Sequence, residues 1–337
     1  MRWVLQPIKD ILASLASDET GAATARYAYH GLTPAQCAAL KTQDIRTYTG
    51  KVRDVVFRGS ELFIVHSDRL TAFDKLISMV PFKGTILTAI SAFWLQEAER
   101  VVPTHYLGRP DERVLLTRKT SPFKVEVVVR GYLAGSMMRA YAAGERRFCG
   151  AALPDGLAAY DRLPATIITP TTKAAAFEHD ENTSPDELIA RGVCTRAEWD
   201  EITALALTLF AHGQKVFGEK GWLLVDTKYE FGRALDGRII VIDEIHTPDC
   251  SRLWTAATYE ARLRAKEAPE MLDKETVRRW LAEQGYSGDG PVPAVPVDRL
   301  LAVANLYLHV AETLTGRPLL TSSLPEQHVA IEELVRS

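Results

Sequence analysis

The chain has 337 residues, 47% hydrophobic and 25% charged, the balance of a soluble globular protein of about two domains. Its 40 Lys and Arg face 43 Asp and Glu, for a formal net charge of -3. That balance excludes a nucleic-acid coat, which needs a basic surplus, but leaves room for a small basic pocket.

Cys37, Cys149, Cys194 and Cys250 lie far apart with no CxxC pair, so neither a zinc site nor a disulfide framework is expected. Reduced cysteines suit a cytoplasmic protein. The N-terminal MRWVLQPIKDILASLA is interrupted by Pro7, Lys9 and Asp10 and lacks a signal-peptide core. No stretch approaches the roughly 18 apolar residues of a membrane span.

Residues 1–45 read as an Ala-rich helical extension without a chemical motif. VRDVVF and ELFIVHS then read as two strands joined at Gly59-Ser60. Gly50-Lys51-Val52-Arg53 opens that hairpin, which would put Lys51 and Arg53 on one strand face, within reach of phosphates. It is not a Walker A loop, so an ordinary surface lysine is the competing reading. Ser67-Asp68-Arg69 and Asp74 suit an internal ion-pair network as well as a site. A helix is expected over about 85–100, and Lys83-Gly84 before it would leave backbone N–H groups free for an anion.

VEVVVR at 125–130 reads as a buried strand ending in Arg130, whose charge needs either a substrate anion or a protein carboxylate. Arg130-Gly131-Tyr132-Leu133-Ala134-Gly135-Ser136 surrounds it with small residues that admit a ligand. Thr169–Lys173 and Glu178-His179-Asp180-Glu181-Asn182 form a dense polar segment, read as a substrate-ordering loop rather than a metal site. Capping boxes at Ser184/Glu187 and Thr195/Glu198 start two helices, the second running to about Phe217.

Asp226, Lys228 and Glu230 alternate along WLLVDTKYEF and share one face of a strand. A two-residue Asp236-Gly237 turn would set Glu230 directly opposite Asp243. Facing carboxylates repel, and Mg²⁺ beneath a nucleotide would relieve the repulsion. The other reading is a solvated face with Lys228 bridging the acids, and a bulge at Gly232 would shift the register. Thr247-Pro248-Asp249-Cys250-Ser251-Arg252 reads as a strand-end loop with hydroxyl- and anion-binding groups, or as a turn whose Arg pairs with a nearby acid. A helix from about Lys274 after an Asp273 cap and a helix from Asp298 to Thr315 closed by Gly316 end the chain. The order of elements, β-rich, then mixed, then helical, is that of an α+β fold.

Taken together, GKVRD, SDRLTAFD, PFKGTILTAISAFW, VVRGYLAGS, TPTTKAAAFEHDENTS, DTKYEFG, IDEIHTPDCSRLW and DKETVRRWL resemble the SAICAR synthetase family in its longer form, over roughly residues 48–316. The resemblance implies an N-terminal extension (1–45), a β-rich ATP lid (46–122) and a larger mixed α/β body with C-terminal helices (123–337). It implies ATP-dependent ligation of L-aspartate to the carboxylate of carboxyaminoimidazole ribotide in purine biosynthesis, with ATP and Mg²⁺ and without nucleic-acid or membrane partners. An ATP-dependent small-molecule kinase is the alternative enzyme. By motif, Lys51, Arg53, Glu230 and Asp243 would attend ATP, the two acids also Mg²⁺, with Asp226 and Lys228 at the reacting groups. Arg130, Ser136, Asp249, Ser251, Arg252, Lys274 and Arg278 would bind the ribotide, and His179 and Asp180 would lie near the second substrate. Cys250, Thr183 and Tyr229 depart from the usual pattern without removing a charge.

Overall fold

The computed structural model describes residues 5–42, 44–173, 181–321 and 331–336. In chain order, the elements that matter below begin with α1 (Ile8–Ser14), α2 (Pro34–Leu40), β1 (Ile45–Thr49), β2 (Arg53–Arg58) and β3 (Glu61–His66). Then come α3 (Lys83–Ala98), β4 (Tyr106–Asp111), β5 (Val114–Arg118), β6 (Val125–Tyr132), α4 (Gly135–Ala142) and β7 (Arg162–Thr172). The rest are α5 (Pro185–Ala190), α6 (Arg196–Glu219), β8 (Trp222–Arg233), β9 (Ile239–Ile242), β10 (Ser251–Thr255), α7 (Glu275–Glu283) and α8 (Val297–Thr315). The fold is α+β. Among the described residues no helix is long and apolar enough to cross a membrane.

The chain forms two compact units whose limits differ from the contiguous boundaries expected at 45 and 122. One holds Met1–Phe93, Tyr106–Lys119 and Lys274–Ser337, and the other Trp94–His105 and Thr120–Asp273. Pairing of the two chain ends explains the first unit's composition. Gln6 and Pro7 pair with Thr321 and Leu320, and α1 packs on α8. Such pairing depends on positions more than 300 residues apart and leaves no local sequence signal.

The first unit carries an antiparallel sheet in the order β1-β2-β3-β5-β4. Gly59 turns the β2–β3 hairpin at φ 55°, and Arg58 pairs with Glu61 as a two-residue turn requires. Tyr29, Leu32 and Leu40 of the N-terminal segment share a core with Val56, Phe63, Val65 and Val114. The extension is thus part of this unit's interior. Two buried carboxylates tie it down. Asp54 accepts from Leu32 N (2.7 Å) and Arg69 Nη2 (2.8 Å). Asp68 accepts from Tyr29 N (2.7 Å), Gly84 N (2.7 Å) and Arg113 Nη1 (2.8 Å). The ion-pair reading of Ser67–Asp74 therefore holds. The anion-binding reading of Lys83-Gly84 does not, because helix α3 starts at Lys83 and the Asp68 side chain already takes the Gly84 N–H.

The second unit is built on a sheet in the order β7-β6-β8-β9, with β10 also on β8. Helix α6 covers one face through Trp199, Ile202, Ala206, Leu209, Phe210 and Phe217. Both expected capping boxes are present, at Ser184 and Thr195. Asp273 is not a helix cap: its carboxylate accepts from Leu253 N (3.0 Å), and Lys274 occupies the cap position of α7. Helix α8 ends as expected on Gly316, at φ 70°.

Replacing Asp68 with Ala would leave Arg113 buried without its anion and two N–H groups without their acceptor. Breaking a buried pair in this way costs about 3–5 kcal/mol. Urea unfolding of Asp68→Ala is expected to show a loss of that size, and a change near zero would remove Asp68 from the centre of this network.

Candidate active site

The side chains of β6 and β8 alternate between two environments. On β6, Val125, Val127 and Val129 are fully buried, and Gly131 lies where a Cβ would touch Phe210 of α6 at 3.5 Å. Glu126, Val128 and Arg130 therefore point to the opposite face. Register carries that face across the sheet. Arg130 pairs with Asp226 and Val128 with Lys228 on β8, Thr169 and Thr171 of β7 lie opposite Val128 and Glu126, and Arg252 of β10 lies opposite Asp226. One face thus gathers Arg130, Asp226, Lys228, Glu230 and Arg252 from residues far apart in sequence.

At one end the face is basic. Asp226, 4% exposed, accepts from Arg130 Nη1 (3.2 Å) and from Arg252 Nη1 at Oδ1 (3.1 Å) and Oδ2 (2.8 Å). Arg130 also donates to Thr169 Oγ1 (2.8 Å) and Ser136 Oγ (3.5 Å). Burial holds the Arg130 guanidinium below the ordinary arginine value, against the pull of Asp226. Two guanidinium groups gathered on Asp226 are of a type that suits an anion. Gly135, at φ 61°, opens α4 beside them; a Cβ there would sit 2.5 Å from Arg252 Nη2. No side chain caps α4.

The other end is acidic. Lys228 Nζ donates to Glu126 Oε1 (2.6 Å) and Glu230 Oε1 (3.1 Å), and Lys173 Nζ donates to Glu230 Oε2. Desolvation pushes the Lys228 pKa down, but Glu230, Glu126 and Asp243 outweigh it and hold the ammonium well above its ordinary value. Among the described residues, Glu126, Glu230 and Asp243 thus act on Lys228, and Lys173 pairs with Glu230. From Asp226 to Glu230 the strand runs about 13 Å.

The hairpin register differs from expectation by one residue. Glu230 pairs with Ile242, not Asp243. The loop has three residues, closed by Ala234 N to Arg238 O (2.9 Å), with Gly237 at φ 85°. Gly232 makes no bulge with β9. Asp243 lies just past the strand end at φ 65°, close enough to act on Lys228. The acids therefore share a neighbourhood without facing each other across the ladder.

Other expected residues fall elsewhere. Ser251 pairs with Thr227 and gives its hydroxyl to Thr227 Oγ1 (2.8 Å), so it faces the α6 side, away from Arg252. Asp249 is half-buried in the loop before β10, its N–H on Thr247 Oγ1 (3.3 Å). Lys51 and Arg53 belong to the first unit. Gly50–Arg53 forms the turn between β1 and β2, closed by Gly50 N to Arg53 O (2.8 Å), so Lys51 is not on a strand face. Lys51 Nζ pairs with Asp74 Oδ1 (2.9 Å). Lys274 and Arg278 are also in the first unit, with Arg278 on Glu275 (3.4 Å). His179 and Asp180 lie outside the described residues. Thr169 and Lys173 belong to the polar segment read as a substrate-ordering loop, with Thr169 on strand β7 rather than in a loop, whereas Glu126 was not expected at the site. The one available signal was Glu126, a single acid inside an apolar strand.

A family model described as SAICAR synthetase matches residues 46–293. The phosphoribosylaminoimidazole-succinocarboxamide synthase of Legionella pneumophila (strain Lens) is 41% identical over 286 residues, covering 83% of this chain and 91% of its own length. That of Cytophaga hutchinsonii is 44% identical over 272 residues, covering 80% and 87%. Among solved structures, the SAICAR-synthase from Saccharomyces cerevisiae complexed with SAICAR gives a TM-score of 0.71 at 29% identity, over 83% of this chain and 99% of its own. A type-2 SAICAR synthetase in complex with ADP gives a TM-score of 0.64 at 24% identity, over 81% and 99%, a likeness of fold.

The acidic end makes a pH prediction. A raised lysine pKa contributes stability that is complete below the ordinary value of 10.5 and is lost as pH rises through the raised one. Glu126→Gln removes one of the anions that raise it. The alkaline loss of stability should then be smaller and be complete at lower pH than in the parent chain, as read by melting temperature against pH; superimposable alkaline limbs would show that Glu126 does not hold Lys228.

Proposed function

The chain belongs to the SAICAR synthetase family, and we propose that the charged face of its second unit holds the reactants of the family's ligation. The enzyme joins L-aspartate to the carboxylate of carboxyaminoimidazole ribotide with ATP, giving SAICAR, ADP and phosphate in purine biosynthesis. It is a C–N bond-forming ligase of small molecules, and the kinase alternative is not favoured. The observation that carries the site assignment is the polarity of the face, positive around Asp226 and negative around Glu230. The arginine end suits the ribotide phosphate, and the carboxylate-rich end suits a divalent cation that would bring the nucleotide phosphates to the ribotide carboxylate.

Arg130, Arg252 and Ser136, at the uncapped start of α4, bind the ribotide phosphate in this reading. Asp226 holds the two guanidinium groups apart and aimed, which is a positioning role. Lys228 lies at the reacting carboxylate. A carboxylate is a poor acyl donor, so its oxygen first takes the γ-phosphoryl group of ATP and releases ADP. The aspartate amine then attacks the acyl carbon, inorganic phosphate leaves, and the amine gives up a proton. The protein's contribution is positioning and charge stabilisation. Lys51 and Arg53 serve the nucleotide phosphates, Lys274, Arg278 and Asp249 the ribotide, and His179 and Asp180 the aspartate.

Mg²⁺ belongs to the same proposal. The acidic end fits it in donor type, with the carboxylate oxygens of Glu230 and Asp243 both close to Lys228. Glu230 and Asp243 would hold the ion, which would neutralise the polyphosphate. Both Glu230 oxygens accept from lysines, so Lys228 and Lys173 would turn to phosphate oxygens when it binds. We place the enzyme in the cytoplasm, where its four free cysteines stay reduced.

Phosphate release from ATP and ribotide is expected to require aspartate. Arg252→Met should raise the ribotide KM about tenfold or more, since a charged hydrogen-bonded contact is worth about 1.5–3 kcal/mol. Glu230→Ala should abolish most turnover and raise the Mg²⁺ requirement. Full turnover by Glu230→Ala, or an unchanged ribotide KM in Arg252→Met, would overturn the assignment at that end of the face.

A further inference from the structure

Behind the charged face lies a buried pair that the ligation does not use. Tyr229 stands between Lys228 and Glu230 in sequence and points to the opposite side of β8. Its hydroxyl meets His246 Nε2. His246 is fully buried, and its ring is enclosed. The Trp94 ring stands edge-on at 4.4 Å between centroids, the Phe217 ring lies at 6.0 Å, and Gly213 of α6 passes so close that a Cβ would sit 2.4 Å from His246 Cε1. Burial pushes the His246 pKa down to about 3, so the ring stays neutral at working pH and is no acid or base for the reaction. Among the described residues its Nδ1 has no partner.

The backbone explains why a histidine so enclosed matters. Asp243 and His246 both adopt left-handed conformations, at φ 65° and 56°, although neither is glycine. Such residues persist where the surroundings over-determine them. The eight residues 243–250 link β9 to β10, and they begin with Asp243 and lead into Arg252. An apolar ring could fill the socket. A directional bond from Tyr229 also fixes the ring's rotation, and through Cβ the backbone that carries it.

We propose that the Tyr229–His246 pair, seated against Gly213, positions the 243–250 turn and so aims Asp243 at the nucleotide end and Arg252 at the phosphate end of the site. This deepens the site assignment above and rests on it. His246, Tyr229 and Gly213 are positioning residues and touch no substrate.

The test uses the full-length enzyme, with steady-state KM values for MgATP, ribotide and aspartate and with kcat. Gly213→Ala pushes on the ring from α6, and Tyr229→Phe removes the directional bond. Each is expected to raise the KM for MgATP and for ribotide roughly tenfold or more, because sub-ångström to 1 Å misplacement of binding groups costs that much, with a smaller change in kcat. The double variant Tyr229→Phe/His246→Leu leaves no polar atom orphaned and puts no larger ring into the socket, so it should fold and keep the raised KM values. Arg252→Met and Asp243→Asn run alongside. If they raise KM and Gly213→Ala and Tyr229→Phe do not, the pair is structural only and the inference is overturned alone. A merely structural role would lower kcat with the folded fraction and leave KM values untouched. If Arg252→Met and Asp243→Asn leave KM unchanged, the site assignment falls and this inference falls with it.

Discussion

The site depends on one constraint, the two-residue period of β8. Val225, Thr227, Tyr229 and Phe231 are fully buried, while Asp226, Lys228 and Glu230 lie on the other face. Because α6 seals one side, the strand cannot slip by one residue without driving three charges into the core. The apolar side therefore fixes where the charges stand. Packing of Phe210 and Phe217 against the sheet supports the chemistry as directly as any polar contact does.

Each charge on this face is a liability unless a neighbour answers it. Arg130 is 5% exposed and Asp226 is 4% exposed, so neither could be left single. The sheet brings the answers from different strands: Thr169 from β7, Arg130 and Glu126 from β6, Arg252 from β10. The result is a fixed array in which arginines gather about Asp226 and carboxylates about Lys228, held in place before any ligand arrives.

Much of this was legible in the chain, and the failures have physical causes. Capping boxes at Ser184 and Thr195 are complete local signals, and both form. The shared face of Asp226, Lys228 and Glu230 follows from period two alone. The Asp236-Gly237 turn was placed in the right segment but one residue short, because Gly237 closes a three-residue loop as readily as a two-residue turn. That single residue moved Asp243 off the ladder. Ser251 and Arg252 are adjacent in sequence and so face opposite ways once β10 is extended, which a motif read as a unit conceals. The pairing of Gln6–Pro7 with Leu320–Thr321 had no local signal at all.

The acids show how far residue type can lead before geometry must decide. Asp68 and Asp226 are both buried, and both bind arginine. Read from sequence, each fits a structural pair or a ligand site. Their partners separate them. Asp68 meets one guanidinium and two backbone N–H groups, so charge and hydrogen bonds close on themselves, and the group ties Tyr29, Gly84 and Arg113 together. Asp226 meets two guanidinium groups, from Arg130 and Arg252, beside a helix start that no side chain caps. A closed set of partners holds a fold, whereas guanidinium groups gathered at a helix start suit an anion. In the Lys228 cluster, Glu126 and Glu230 accept from Lys228, and Glu230 also from Lys173, so the ammonium groups there are held by carboxylates from two strands.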